Sequence, residues 1–156
     1  MKRISVKYLA GLIDGEGCID WTTSFDKKQG RRYIRPRLRI TLTEPGFDVI
    51  DLLVNNFNGH VETRTPKDSR WSPSKTWYVV GSKAVTVLNN VKNSLIIKQE
   101  QAKLAIAWER HLKGLHIPDE VKDVMSNEMK LMKKDSHRLS EKAVYQILDA
   151  LKRQSG

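Results

Sequence analysis

Two consecutive stretches alternate strictly enough to leave little choice of architecture. In residues 18–25, Ile19, Trp21, Thr23 and Phe25 fall on one side and Cys18, Asp20, Thr22 and Ser24 on the other. In residues 31–43, Ile34, Leu38, Ile40 and Leu42 oppose Arg35, Arg37, Arg39 and Thr41. Period two is the signature of a half-buried strand, and the polar turn at 26–30 makes the two strands antiparallel. Helices must cover the apolar faces, which leaves the arginine face open to something large and anionic. Pro36 brings no amide donor and predicts an edge position or an irregularity.

The stretch before these strands, residues 8–17, is unusual for a helix. Ser5 is a good N-cap, and Val6, Leu9, Ala10, Leu12 and Ile13 give a broad apolar surface. Asp14-Gly15-Glu16-Gly17 then sets two acids where the helix end already carries partial negative charge, so a cation is expected nearby. Gly11 and Gly15 share one face, with Ala10 beside them, and another backbone could approach there closely. A second copy of the same helix is the simplest partner; two Glu16 carboxylates would then lie side by side and need divalent metal.

Beyond residue 43 the periodicity turns helical over 47–57 and stops at Asn58-Gly59. A short strand at 60–65, a polar loop at 66–75 and a strand at 76–81 predict a second hairpin. Helices are expected at 82–91, capped by Ser82, at about 98–112, 118–134 and 140–153. Val121, Val124, Met125, Met129 and Met132 form a stripe read as core packing.

Residues 9–17 resemble the signature of the LAGLIDADG homing endonucleases, matched by Leu9, Ala10, Gly11, Leu12, Ile13, Asp14 and Gly17. Gly15 and Glu16 occupy the two variable places, and Glu16 keeps a carboxylate with one more methylene. The resemblance implies an α+β fold of αββαββα order whose curved antiparallel sheet forms a DNA-binding saddle, with additional C-terminal helices. One domain spans 1–156, its core about 1–112 and its helical extension about 113–156. A single signature implies a homodimer, with Leu9, Ala10, Gly11, Ile13, Asp14 and Gly15 at the interface. The resemblance also implies Mg²⁺ held by Glu16 and the Gly15 carbonyl, with Mn²⁺ substituting and Ca²⁺ binding without cleavage. Lys98, in Ile97-Lys98-Gln99-Glu100-Gln101-Ala102, takes the part of the basic residue beside the scissile phosphate. Glu44 takes that of a polar residue ordering water.

A net charge of +10 over 156 residues favours a polyanionic partner, and residues 27–39 hold seven basic side chains and no acid. A two-stranded ribbon fits the DNA major groove, where arginine reads guanine. Asp20, Thr22, Ser24, Arg35, Arg37, Arg39 and Thr41 are the expected base readers, extended by His60, Glu62, Arg64 and Tyr78. Lys27, Lys28, Arg31, Arg32, Lys67, Arg70 and Lys75 are expected on phosphates. The single cysteine and four histidines have no zinc spacing, and no long apolar run points to a membrane. A soluble intracellular protein is therefore expected.

The reading that follows is a site-specific endonuclease making a staggered double-strand break in a long pseudo-palindromic site, intron-encoded since no splicing domain surrounds the signature. An RNA-binding intron maturase, alone or combined with cleavage, is the alternative on the same scaffold. A DNA-binding regulator with a degenerate signature would be expected to lack the acid.

Overall fold

The computed structural model describes residues 2–112, 117–135 and Asp149. The order is α1 (Val6–Glu16), β1 (Gly17–Asp26), β2 (Arg31–Thr43), α2 (Phe47–Phe57), β3 (His60–Arg64), β4 (Ser74–Val80), α3 (Ser82–Val91), α4 (Gln99–Leu112) and α5 (Asp119–Asp135). The expected αββαββα order is present, and the helix expected at 140–153 lies outside the described residues but for Asp149. The strands form one antiparallel sheet in the order β1-β2-β4-β3.

Local chemistry accounts for the boundaries. Ser5 caps α1 by accepting from the Tyr8 amide at 3.2 Å. The chain leaves α2 through Asn58 and Gly59, at φ 57° and 95°, a left-handed passage that glycine and asparagine make at low cost. At α3 the expectation fails by one residue: Gly81 (φ 65°) is the N-cap, and Ser82 is the first helical residue.

Pro36 sits where β2 changes character. Paired with Trp21 of β1, it lies one residue beyond the β2–β4 ladder, which ends at Arg37↔Val80. Its carbonyl accepts from the Gly81 amide at 2.7 Å. A residue's N–H and C=O point to the same side of a strand, so the missing donor falls past the end of that ladder.

The helices cover the face carrying Ile19, Ile34, Leu38, Ile40, Trp77 and Val79, all buried. Trp77 is fully enclosed and donates its indole N–H to the Asn58 carbonyl at 2.6 Å. α5 continues this layer at the β1 side: Met125, Met129 and Met132 are buried, and the Trp21 indole donates to the Met125 carbonyl at 3.3 Å. Val124, expected in the same stripe, is 48% exposed; it falls a helical step off the seam that the methionines trace.

Candidate active site and nucleic-acid interface

The C-terminal end of α1 and the start of α4 hold each other. The Asp14 carboxylate accepts from three successive amides, Ile96 at 2.8 Å, Ile97 at 3.2 Å and Lys98 at 3.0 Å. In return the Lys98 ammonium donates to the Ile13 and Asp14 carbonyls at 2.9 and 2.8 Å. The carboxylate gathers the amides of the bend that leads into α4, the ammonium adds a donor to the last carbonyls of α1, and each charge has the sign that its helix end favours. Lys98 is thus the cation expected at this end, and burial pulls its pKa down despite the nearby Asp14 and Glu16 charges. Removing this acceptor with Asp14→Ala is expected to cost about 2 kcal/mol of stability, since the amides lose a charged partner but can rehydrate. The denaturant midpoint, with the slope unchanged, measures it.

Glu16 is exposed, and among the described residues its carboxylate has no hydrogen-bond or ion-pair partner. Its oxygens and the Gly15 carbonyl are hard donors that suit Mg²⁺. Among the described residues no three His, Cys, Asp or Glu side chains converge. Glu44 is exposed and follows β2 directly. It lies four residues beyond Ile40, the partner of Gly17, or about 13 Å of strand, and makes no bond to Glu16 or Lys98.

α1 turns two faces in opposite directions. Leu9, Ala10 and Ile13 are 3%, 1% and 0% exposed in the chain's own core, which corrects their expected place at a dimer interface: the apolar stripe serves the monomer. The outward strip is Tyr8, Gly11 and Gly15, all exposed, and a Cβ built at either glycine meets nothing within 4 Å.

The opposite face of the sheet is polar. Register places Asp20 and Thr22 across from Arg37 and Arg35, Ser24 across from Tyr33, Arg39 and Thr41 across from Tyr78 and Thr76, and His60, Glu62 and Arg64 across from Tyr78, Thr76 and Ser74. All eleven expected base readers therefore share one face. Asp20 organises its centre, accepting from Arg37 Nε and a terminal nitrogen, both at 2.9 Å, and from Arg39 at 2.8 Å. These charge-assisted bonds fix two guanidinium planes. The Arg37 pKa is raised mainly by its bond to Asp20. Arg35 is exposed and lies over Gly81, where even a methyl group would strike its guanidinium at 2.0 Å. Thr41 and Thr76 share a hydrogen bond of 2.7 Å, and His60 stacks on Tyr78 with centroids 5.2 Å apart.

Residues 9–91, more than half the chain, match the family model described as LAGLIDADG endonuclease. The chain belongs to the LAGLIDADG endonuclease family. Its fold is similar to that of the homing endonuclease I-CvuI bound to its Sro1.3 target with Ca²⁺ (TM-score 0.67, 20% identity, 94% of this chain and 93% of that one covered). I-CvuI in complex with the I-CreI target and Mg²⁺ gives 0.65 at 19% identity over the same shares. The archaeal intron-encoded I-Vdi141I, complexed with DNA, gives 0.63 at 18%, covering 94% of this chain and 96% of that one. No curated protein matches.

In this LAGLIDADG chain the residues expected on phosphates divide. Lys27, Lys28 and Lys67 are exposed in turns, and Arg31 is exposed on the polar face. Arg32 is on the helix side with Ile34 and binds Asp123 of α5 at 2.6 Å, an ion pair that raises its pKa. Lys75 pairs with Leu42 and sets its ammonium 4.8 Å from the Phe47 ring centre, again on the helix side. Arg70 is closed onto Asp68 within its loop at 2.6 Å. Strand parity already puts Arg32 on the side of Ile34; Lys75 was expected in the 66–75 loop, and β4 begins at Ser74, two residues earlier than the expected strand. Tyr33 and Thr76 lie on the polar face and were not singled out. Ile96 and Ile97, 88% and 67% exposed beside Asp14, give no sequence signal distinguishing them from core.

Asp20 is a positioning residue in this arrangement. Asp20→Ala is expected to raise affinity for mixed-sequence duplex, by removing one negative charge, while narrowing the affinity gap between a specific site and mixed DNA. Competition binding at fixed salt measures both.

Proposed function

We propose that this chain is a homodimeric, divalent-metal-dependent endonuclease that recognises a long pseudo-palindromic DNA site and cuts both strands with a stagger, its gene carried in an intron. The observation that supports it most is Glu16: an exposed carboxylate without a protein partner among the described residues, at the end of a helix whose glycine strip faces outward. Packing α1 against its copy along Tyr8, Gly11 and Gly15 brings two Glu16 carboxylates together and doubles the polar face into one reading surface. I-CvuI, seen with its own DNA target in Ca²⁺ and with the uncleaved I-CreI target in Mg²⁺, supports the reading as far as DNA binding in the presence of divalent metal.

Glu16 and the Gly15 carbonyl would hold the metal, which supplies polarisation of the phosphate and an activated water when bound. Lys98, pinned at the same helix end, would supply positive charge to the reacting phosphate with little reorganisation. Arg35, Arg37, Arg39 and their neighbours set the register on the bases, and the exposed turn lysines grip the backbone.

Incubating the protein with a plasmid carrying the intron-less insertion site, with and without Mg²⁺, tests the proposal. Linear product only with metal is expected; binding without cleavage in Mg²⁺ would overturn it. No helix among the described residues is long and apolar enough to cross a membrane.

A further inference from the structure

The loop that joins β3 to β4 displays the most exposed tryptophan of the described residues. Trp71 is 69% exposed, whereas Trp77 and Trp108 are buried and Trp21 is half-buried. Among the described residues its indole N–H has no acceptor.

The loop beneath it is braced. The Trp71 amide donates to the Asp68 carbonyl at 3.1 Å, and the Asp68 carboxylate accepts from the Arg70 amide at 3.0 Å, a turn in which an aspartate side chain stands in for backbone. Arg70 closes the turn, its Nε on both carboxylate oxygens at 3.0 Å and a terminal nitrogen on one of them at 2.6 Å. Pro66 and Pro73 bound the segment with fixed φ. Asp68 and Arg70 offset each other's charge, so the loop presents an aromatic ring where a guanidinium was expected to meet a phosphate.

Register places this loop at the Glu16 end of the sheet. β1 starts at Gly17 opposite Ile40 of β2, and β4 starts at Ser74 opposite Thr43, three residues further along β2. The root of the loop thus lies about 10 Å across from the start of β1 and about 10 Å beyond it. Arg64 and Ser74, the last pair of the β3–β4 ladder, are on the polar face, so the loop continues the reading surface past its edge. A duplex turns once in about 34 Å, and a groove that faces the sheet gives way to backbone toward either end of the strands. Between its phosphates that backbone carries deoxyribose rings, an apolar surface that suits an indole, and phosphate oxygens that suit its N–H.

We propose that Trp71 packs on a deoxyribose of the DNA backbone at the Glu16 end of each half-site, an apolar grip that adds affinity without neutralising a phosphate. The proposal rests on the endonuclease reading above.

Binding to a mixed-sequence duplex without divalent metal, measured over a range of salt concentrations, separates this grip from charge. Trp71→Ala should weaken binding by about tenfold at every salt concentration, a usual effect of losing one packed aromatic contact. It should leave the slope of log K against log salt unchanged, whereas the control Lys27→Gln should reduce that slope by about 0.9. Trp71→Phe keeps a ring and should recover most of the affinity. Circular dichroism checks that both Trp71 variants are folded. Acrylamide quenching gives a second readout: duplex should shield the most quenchable part of the native fluorescence, a part that Trp71→Phe lacks. Unchanged affinity in Trp71→Ala, or a loss that appears only as a changed slope, would overturn the contact while leaving the endonuclease reading intact. So would a Trp71→Ala protein that sediments as a smaller species than the native chain, since the loop would then be holding a second subunit. A native protein that binds no duplex would overturn both readings.

Discussion

Glu16→Gln should bind the DNA target as tightly as the native chain, or slightly tighter, and cut neither strand. The carboxylate is exposed and makes no bond within the described residues, so the amide costs the fold nothing. It does remove the anionic donor that a hard cation needs. Loss of rate by about 10³-fold is expected, corresponding to about 4 kcal/mol of transition-state stabilisation. One negative charge fewer next to a phosphate accounts for the direction of the binding change. Glu16→Asp should recover part of the activity, because it keeps the charge and shortens the reach by one methylene. Gel-shift titration and plasmid linearisation on the same preparations check both halves, and a Gln variant that still linearises plasmid at the native rate would sink the proposed chemistry.

Gly11→Leu should separate folding from assembly. Nothing lies within 4 Å of a Cβ at this position, so the monomer has room for the side chain. Replacing a mid-helix glycine should raise monomer stability by about 0.5–1 kcal/mol through helix propensity alone. Two α1 helices packed along the strip would clash, so the dimer should be lost and cleavage with it. Sedimentation velocity with a thermal melt gives the two numbers needed: a monomer with an unchanged or higher Tm is the expected pair. A variant that stays dimeric and active would place the interface elsewhere.

Much of this was legible because periodicity is a strong signal wherever one face is buried. The alternation of 18–25 and 31–43 identified both long strands and put Asp20, Thr22, Ser24, Arg35, Arg37, Arg39 and Thr41 on one face. Ser5 and Asn58-Gly59 marked real helix ends because capping chemistry is local. Errors arose where a local signal had to stand for a spatial one. Leu9, Ala10 and Ile13 belong to a helix with two functions, and the sequence does not say which apolar residues serve the chain's own core. Arg32 was grouped by charge although strand parity assigns it to the helix side, where Asp123 meets it, and Lys75 was read as loop because β4 begins at Ser74, which turns its side chain toward Phe47. Nothing local could link Lys133 to Cys18, which are 115 residues apart.

The mutual hold between Asp14 and Lys98 ties α1 to α4 through backbone groups and its own two side chains, and it uses none of the residues on the reading face. Cutting and reading are therefore wired separately. A gene encoding such a chain can accumulate substitutions at Thr22, Arg35, Thr41 or His60 and drift toward a different sequence without first surrendering its ability to cut. For an endonuclease of this family, that separation allows one recognised sequence to be given up and another tried in single steps.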